Sequence, residues 1–185
     1  MYYYLIGLGS NLPSETLSSK EILERALLSM PSLGINVIRV SVWWKSKAFP
    51  VGAGPNYING VAKVSSDFTP AKILERLKEI ELLYGRKRSK RWGSRVLDLD
   101  LLACENMILP NEVIFREWLS LPKHRQLTRE PKYLILPHPR IQDRLFVLKP
   151  LLEVSPNWEH PVLGKKSQEL INEIDWAPQD FLEPL

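Results

Sequence analysis

Hydrophobic and polar positions change period several times along this chain, and each change marks an element. Residues 2–8 alternate and are rich in tyrosine, leucine and isoleucine, which predicts a strand running into the turn Gly7-Leu8-Gly9-Ser10-Asn11. Ile22, Leu23, Ala26, Leu27 and Met30 then recur at helical spacing, with Ser18 and Glu21 as a capping box at the start and Pro31 beyond the end. Residues 35–44 alternate again and predict one long strand. A Pro- and Gly-bearing loop over 45–56 leads to a third strand over 57–65. Thr69-Pro70 reads as an N-cap with proline at the first helical position; Ile73, Leu74, Leu77, Ile80 and Tyr84 make the buried stripe, and Gly85 supplies the C-terminal stop. A fourth strand, Val96-Leu97-Asp98-Leu99-Asp100-Leu101-Leu102, brackets two acids with apolar residues.

The order β-α-β-β-α-β is that of the ferredoxin-like split arrangement, an α+β fold with helices packed on an antiparallel sheet. There the first and third strands are central and the fourth flanks the first. The turn at residues 9–11, the third strand and both aspartates are thereby expected in one neighbourhood. From 104 to 133 the pattern fades into loop and short helix, an insertion. Order returns over 134–148, and residues 167–174 predict a last short helix before an acidic, Pro-bearing tail. The expectation is one domain over 1–185: a core of about 2–103, the insertion, and a C-terminal extension over 134–185.

Residues two apart on a strand share a face, so Asp98 and Asp100 stand together with Cα atoms about 6.6 Å apart. Two like charges at that distance repel by about 2.5 kcal/mol at an effective dielectric near 20. An arginine partner would offset this; so would a divalent cation, since Mg²⁺ takes one or two protein carboxylates and leaves its other positions to water and phosphate. Immediately upstream, residues 86–95 hold six cations with Trp92 among them. Arginines fork onto phosphate and a tryptophan offers a stacking face, so the combination points to a nucleoside-triphosphate site.

Composition changes this picture only slightly. With 44% apolar and 25% charged residues the chain is an ordinary globular one, and a net charge of +4 is small enough to favour a local anionic ligand over a general nucleic-acid surface. Its single cysteine, Cys104, excludes an internal disulfide. No apolar stretch approaches the length of a membrane span and no basic leader precedes the first strand, so a cytoplasmic location is expected.

Five blocks carry a resemblance: Gly9-Ser10-Asn11; Tyr57-Ile58-Asn59; Glu81 with Arg86; Arg91-Trp92-Gly93 with Arg95, Asp98 and Asp100; and Pro137-His138 with Arg144 and Phe146. In order and spacing the chain resembles the 6-hydroxymethyl-7,8-dihydropterin pyrophosphokinases over about residues 2–152. The resemblance implies transfer of pyrophosphate from ATP to the pterin hydroxymethyl group, in folate biosynthesis, by a stand-alone monomer with neither nucleic-acid nor membrane partners. It implies two Mg²⁺ ions on Asp98 and Asp100, with Arg86 and Arg95 stabilising phosphate charge. Glu81, Arg88, Arg91, Trp92, Leu101, His138 and Arg144 would serve ATP. Tyr57 and Phe146 would sandwich the pterin, Asn59 and Ser46 would bond its edge, Gly9 and Asn11 would flank it, and Trp92 would close over it. Residues 87–94 would be a lid, mobile until both substrates bind.

The chain departs from the family at Ala53-Gly54, where Asp-Gln is familiar, at Lys47 in the pterin loop, at Pro139 where some members have tyrosine, and in the longer insertion. The competing class is an RNA-binding sheet, with stacking and phosphate contacts from the Arg/Trp loop; a catalytically silent relative is a second alternative.

Overall fold

The first strand, β1 (Tyr2–Ser10), is the one on which the sheet is built. It runs antiparallel to β4 (Tyr57–Ser66) on one side and to β5 (Asp98–Cys104) on the other. The structure, a computed structural model, describes residues 1–48, 54–85, 95–122, 125, 128–175 and 181–185. The far edge of β4 takes β2 (Asn36–Val40) and β3 (Trp44–Ser46) in line, and β3 in turn takes β8 (Leu182–Pro184), giving the order β5-β1-β4-β3-β8 with β2 beside β4. The ferredoxin-like core is as the periodicity predicted.

The single strand expected over 35–44 is two strands, and residues 41–43 give the reason. Ser41 N–H donates to the Val61 carbonyl (3.0 Å) while Ser41 Oγ accepts from Val61 N–H (3.1 Å). A side chain has taken the place of a ladder carbonyl. Beside it the Trp43 ring fills the space that Gly60 leaves, where a Cβ would come within 2.6 Å of the indole.

Helices α1 (Ser19–Ser29) and α2 (Pro70–Leu83) cover one face. The capping box at Ser18 and Glu21 is present, and Gly85 adopts φ +81° just past α2, the left-handed stop that glycine accepts freely. Ile22, Leu23 and Ala26 of α1 and Ile73, Leu77 and Ile80 of α2 pack on Tyr4, Ile6 and Leu8 of β1. The opposite face carries Leu5, Val61, Leu102 and Ala103 against Leu148 and Leu151 of α4 (Leu145–Val154) and Leu170 of α5 (Ser167–Glu173).

The segment expected to be an insertion contains α3 (Glu112–Leu119) and is pinched at its base, where Leu109 and Leu136 exchange backbone hydrogen bonds (2.9 and 3.2 Å). Its Phe115 is buried 5.4 Å from the ring of His160 on the small hairpin of β6 (Glu159–His160) and β7 (Lys165–Lys166). No described helix is long and apolar enough to cross a membrane.

Candidate active site

Alternation along β1 sends Tyr4, Ile6 and Leu8 to the α1/α2 core, which leaves Leu5, Gly7 and Gly9 on the other face. Helix α4 covers Leu5. Nothing as bulky rises from the two glycines, and a cavity of about 600 Å³ opens above them. Gly7 lies opposite Asp100 and Val61 in register, and Gly9 opposite Asp98 and Asn59. Directly opposed residues share a face, so both aspartates and Asn59 stand around this floor. On β5 the burial alternates as expected: Asp98 and Asp100 are half-buried, Leu99 and Leu101 buried.

A β-bulge then breaks the alternation. Leu5 pairs with Ala103 and Ile6 with Leu101, so Leu102 is the extra residue, and both Leu102 and Ala103 join the α4-side core. The Leu102 carbonyl, freed from the ladder, accepts from His138 N–H at 2.7 Å. That bond seats His138 on the cavity wall beside Leu101. Burial, then the charges of Arg144 and Arg140, push the His138 pKa well below its ordinary value. The imidazole is therefore neutral near pH 7. Its Nδ1 accepts from Arg140 N–H (3.2 Å), which leaves the proton on Nε2 as a donor.

Each aspartate has an arginine partner. Arg95 Nη1 lies 2.5 Å from Asp98, and Arg144 Nη1 lies 3.3 Å from Asp100. Burial opposes the charge on Arg95, but Asp98, through its charge and its hydrogen bond, outweighs it and holds the pKa above the usual value. The arginine partner weighed from the sequence is thus present, supplied by two residues that the resemblance assigns to phosphate. Arg144 also holds its guanidinium 5.9 Å from the ring centre of Phe146, at the start of α4.

At the far end, Asn59 Nδ2 donates to Ser46 Oγ at 2.9 Å, joining β4 to β3, and Tyr57 stands directly opposite Ser46 in register. Glu153 of α4 accepts from Val42 N–H and Trp44 Nε1–H, both at 2.8 Å. The helix carrying Phe146 is thereby tied to the strand carrying Ser46. Tyr57, Phe146, Ser46 and Asn59 all line the same cavity.

Two residues expected as ligand contacts are bonded to backbone. Asn11, buried, accepts from Arg95 N–H (2.8 Å) and donates to the Pro55 carbonyl (3.1 Å), tying the end of β1 to both flanking segments. Glu81 is buried beneath β5 and accepts from Leu99 N–H at 2.8 Å, between the two aspartates. Both hold the site's strands in place. Arg86, Arg88, Arg91, Trp92 and the expected lid over 87–94 lie outside the described residues.

Several wall residues carried no sequence signal. Leu74, read as core, is half-buried and faces the cavity with Lys78 one turn along α2; Trp118, Arg129, Lys132 and Tyr133 come from the segment expected to be an insertion. Among the described residues the cavity is lined by Lys47, Lys78, Arg95, Arg129, Lys132, Arg140 and Arg144 against only Asp98 and Asp100. The balance suits a polyanion. The described residues hold no cluster of three or more His, Cys, Asp or Glu. Two same-face carboxylates fit a hard cation that keeps phosphate and water as its other ligands, and not a soft-metal site.

Residues 5–156 match the family profile of 7,8-dihydro-6-hydroxymethylpterin-pyrophosphokinase (HPPK). The chain belongs to this family. A Synechocystis 2-amino-4-hydroxy-6-hydroxymethyldihydropteridine pyrophosphokinase is 37% identical over 172 residues, covering 92% of this chain and 75% of that protein. The Haemophilus influenzae protein of the same name is 34% identical, covering 81% and 79%. Among solved structures, a Plasmodium falciparum HPPK-DHPS chain superposes with a TM-score of 0.66 at 15% identity, over 93% of this chain and 45% of that one. That likeness bears on the fold, and the family match on membership.

Proposed function

We propose that this cleft performs the family's reaction: it moves the pyrophosphate group of ATP to the hydroxymethyl group of 6-hydroxymethyl-7,8-dihydropterin and releases AMP. The chain is an ATP-dependent pyrophosphokinase of folate biosynthesis. The observation that carries the site is the seating of Asp98 and Asp100 over Gly7 and Gly9, with Asn59 at one end of the floor and His138 and Arg144 at the other.

The pterin enters the Asn59 end, where Ser46 and Asn59 meet its polar edge and Tyr57 and Phe146 flank its ring. The triphosphate crosses toward His138, whose neutral Nε2–H donates to a phosphate oxygen while Arg95 and Arg144 supply charge. Two Mg²⁺ ions held by Asp98 and Asp100 would neutralise and orient the triphosphate oxygens when bound. The pterin hydroxyl oxygen bonds to the β-phosphorus; the bond from that phosphorus to the α–β bridging oxygen breaks, and AMP leaves with the electron pair. The hydroxyl proton passes to solvent. His138 acts as a donor, since Nδ1 is engaged and Nε2 carries its proton. Positioning and charge therefore supply most of the rate. Glu81 and Asn11 act as positioning residues for β5 and for Arg95. Burial pushes the Cys104 thiol up to about 11, so it stays protonated near pH 7 and takes no part in the transfer.

The test is AMP formation from ATP, which should require both magnesium and the pterin alcohol. Asp98→Ala or Asp100→Ala should lower the rate about a thousandfold, or roughly 4 kcal/mol of transition-state stabilisation. Near-normal turnover in either variant at saturating magnesium would sink the metal assignment. Magnesium-independent retention of RNA, without AMP release, would favour a binding protein instead.

A further inference from the structure

Strand β3 is only three residues long, yet it carries Ser46 and leads directly into Lys47, and both line the cavity. On its inner side it has three paired positions with β4: Trp44 with Asn59, Lys45 with Ile58 and Ser46 with Tyr57. Its outer side is covered by the last residues of the chain. Leu182, Glu183 and Pro184 of β8 pair with Ser46, Lys45 and Trp44, and Leu185 N–H donates to the Trp43 carbonyl at 2.8 Å. Lys45 and Glu183, directly opposed, lie 3.4 Å apart. The Phe181 ring receives two ammonium groups, Lys45 Nζ at 5.9 Å from its centre and Lys47 Nζ at 5.8 Å.

We propose that the C-terminal strand is a positioning element of the pterin end of the site: β8 braces β3 from outside and Phe181 holds the Lys47 ammonium at the cavity wall. The physical reason is the shortness of β3. Paired on one edge only, a three-residue strand would be held by a few ladder bonds and by the Glu153–Trp44 hydrogen bond at its start, with the Ser46 end left as an open sheet edge. A second partner makes β3 an interior strand and fixes the rotamer-bearing residues at its end. Ser46 must stay where Asn59 Nδ2 reaches it at 2.9 Å, so drift of β3 by even one ångström would cost the pocket that bond. Lys47 gives Phe181 its specific task. A long, flexible cation stands there, immediately after Ser46 and on the cavity wall. The aromatic face holds that cation by cation–π attraction and limits its rotamers. Without the ring the ammonium would be free to cross the pocket mouth.

This inference rests on the assignment of the Ser46–Asn59 end to the pterin, and one experiment separates the two. The pterin alcohol is titrated calorimetrically into protein saturated with magnesium and a non-hydrolysable ATP analogue. The variants are a chain ending at residue 180, Phe181→Ala, Phe181→Tyr and Asn59→Ala. Truncation should weaken pterin binding about tenfold, near the upper range of one net hydrogen bond. Phe181→Ala should weaken it about threefold, the size of an exposed cation–π contact, and Phe181→Tyr should restore it. Affinity for the ATP analogue should stay within about twofold in all of these, an allowance well under one net hydrogen bond. Unchanged pterin affinity in a folded truncated chain overturns the brace, as does an equal loss for both ligands, which a merely structural role would give. If truncation prevents folding, Phe181→Ala and its tyrosine rescue decide alone. Should Asn59→Ala also leave pterin affinity intact, the assignment of that end has failed, and the brace falls with it.

Discussion

At the scale of single residues, the site turns on which partner each charged group takes. Asp98 is held by Arg95 and Asp100 by Arg144, in pairs that are only partly buried. Such pairs contribute about 0–1 kcal/mol to stability, so they exchange readily for a cation and phosphate. The aromatic residues have a simpler task. Tyr57→Ala and Phe146→Ala should each weaken pterin binding by about 1–3 kcal/mol, taking base stacking as the guide, with ATP affinity nearly unchanged. Calorimetry with each ligand separately checks this, and equal losses for both ligands would refute the sandwich. The shared face of the two aspartates was legible from a period of two. The use of Asn11 and Glu81 was not. Motif spacing places a side chain near a site, but whether it bonds a ligand or a backbone N–H depends on strands that meet only in the folded chain: Arg95 is 84 residues from Asn11, and Leu99 is 18 from Glu81.

At the scale of elements, periodicity located the core strands and the first two helices because each buries one continuous face. It missed breaks made by a single group. Ser41 replaces a ladder carbonyl and splits a predicted strand; the Leu102 bulge hands a carbonyl to His138; and β8 is too short for alternation to register. The aromatic contact between α3 and the β6–β7 hairpin has a measurable consequence. His160 is fully buried, packed edge-on to Phe115 and Trp158, and its Nδ1 accepts from Val162 and Leu163 N–H at 3.3 Å each. Burial pushes its pKa down to about 4. Between that value and the ordinary 6.5 the unfolded chain binds the proton that the folded chain refuses. The contribution to stability is complete above about pH 6.5 and is lost as the pH falls toward 4, by about 3 kcal/mol in all. His138, also depressed, adds a loss of the same sign. Urea unfolding from pH 7 to 4.5 should show wild type losing stability more steeply than His160→Gln by about one proton's slope. Parallel profiles would mean that His160 accepts its proton without cost.

At the scale of the whole molecule, the cations facing the cavity come from many parts of the chain: Lys47 after β3, Lys78 on α2, Arg95 before β5, Arg129 and Lys132 beyond α3, and Arg140 and Arg144 before α4. A net charge of +4 gives no hint of this convergence, because acids elsewhere on the surface offset it. One continuous cavity of about 600 Å³ serves both the Ser46–Asn59 end and the His138–Arg144 end, within the range of sites that enclose small ligands. With the pterin and the triphosphate at the two ends as proposed, both substrates are present together, and the acceptor hydroxyl meets the β-phosphorus without an intermediate carried by the protein. Sequential kinetics follow. Double-reciprocal plots against ATP at several pterin concentrations should intersect, and ATP with magnesium alone should give no stoichiometric burst of AMP. Parallel lines with such a burst would require a covalent pyrophosphoryl-enzyme, and a nucleophile on the cavity wall would then have to replace direct transfer. Asp100→Ala bears on the same point from the other side. Under direct transfer it slows AMP release and pterin diphosphate formation equally, because both come from one displacement; uncoupling of the two products would show that water, and not the pterin, had become the acceptor.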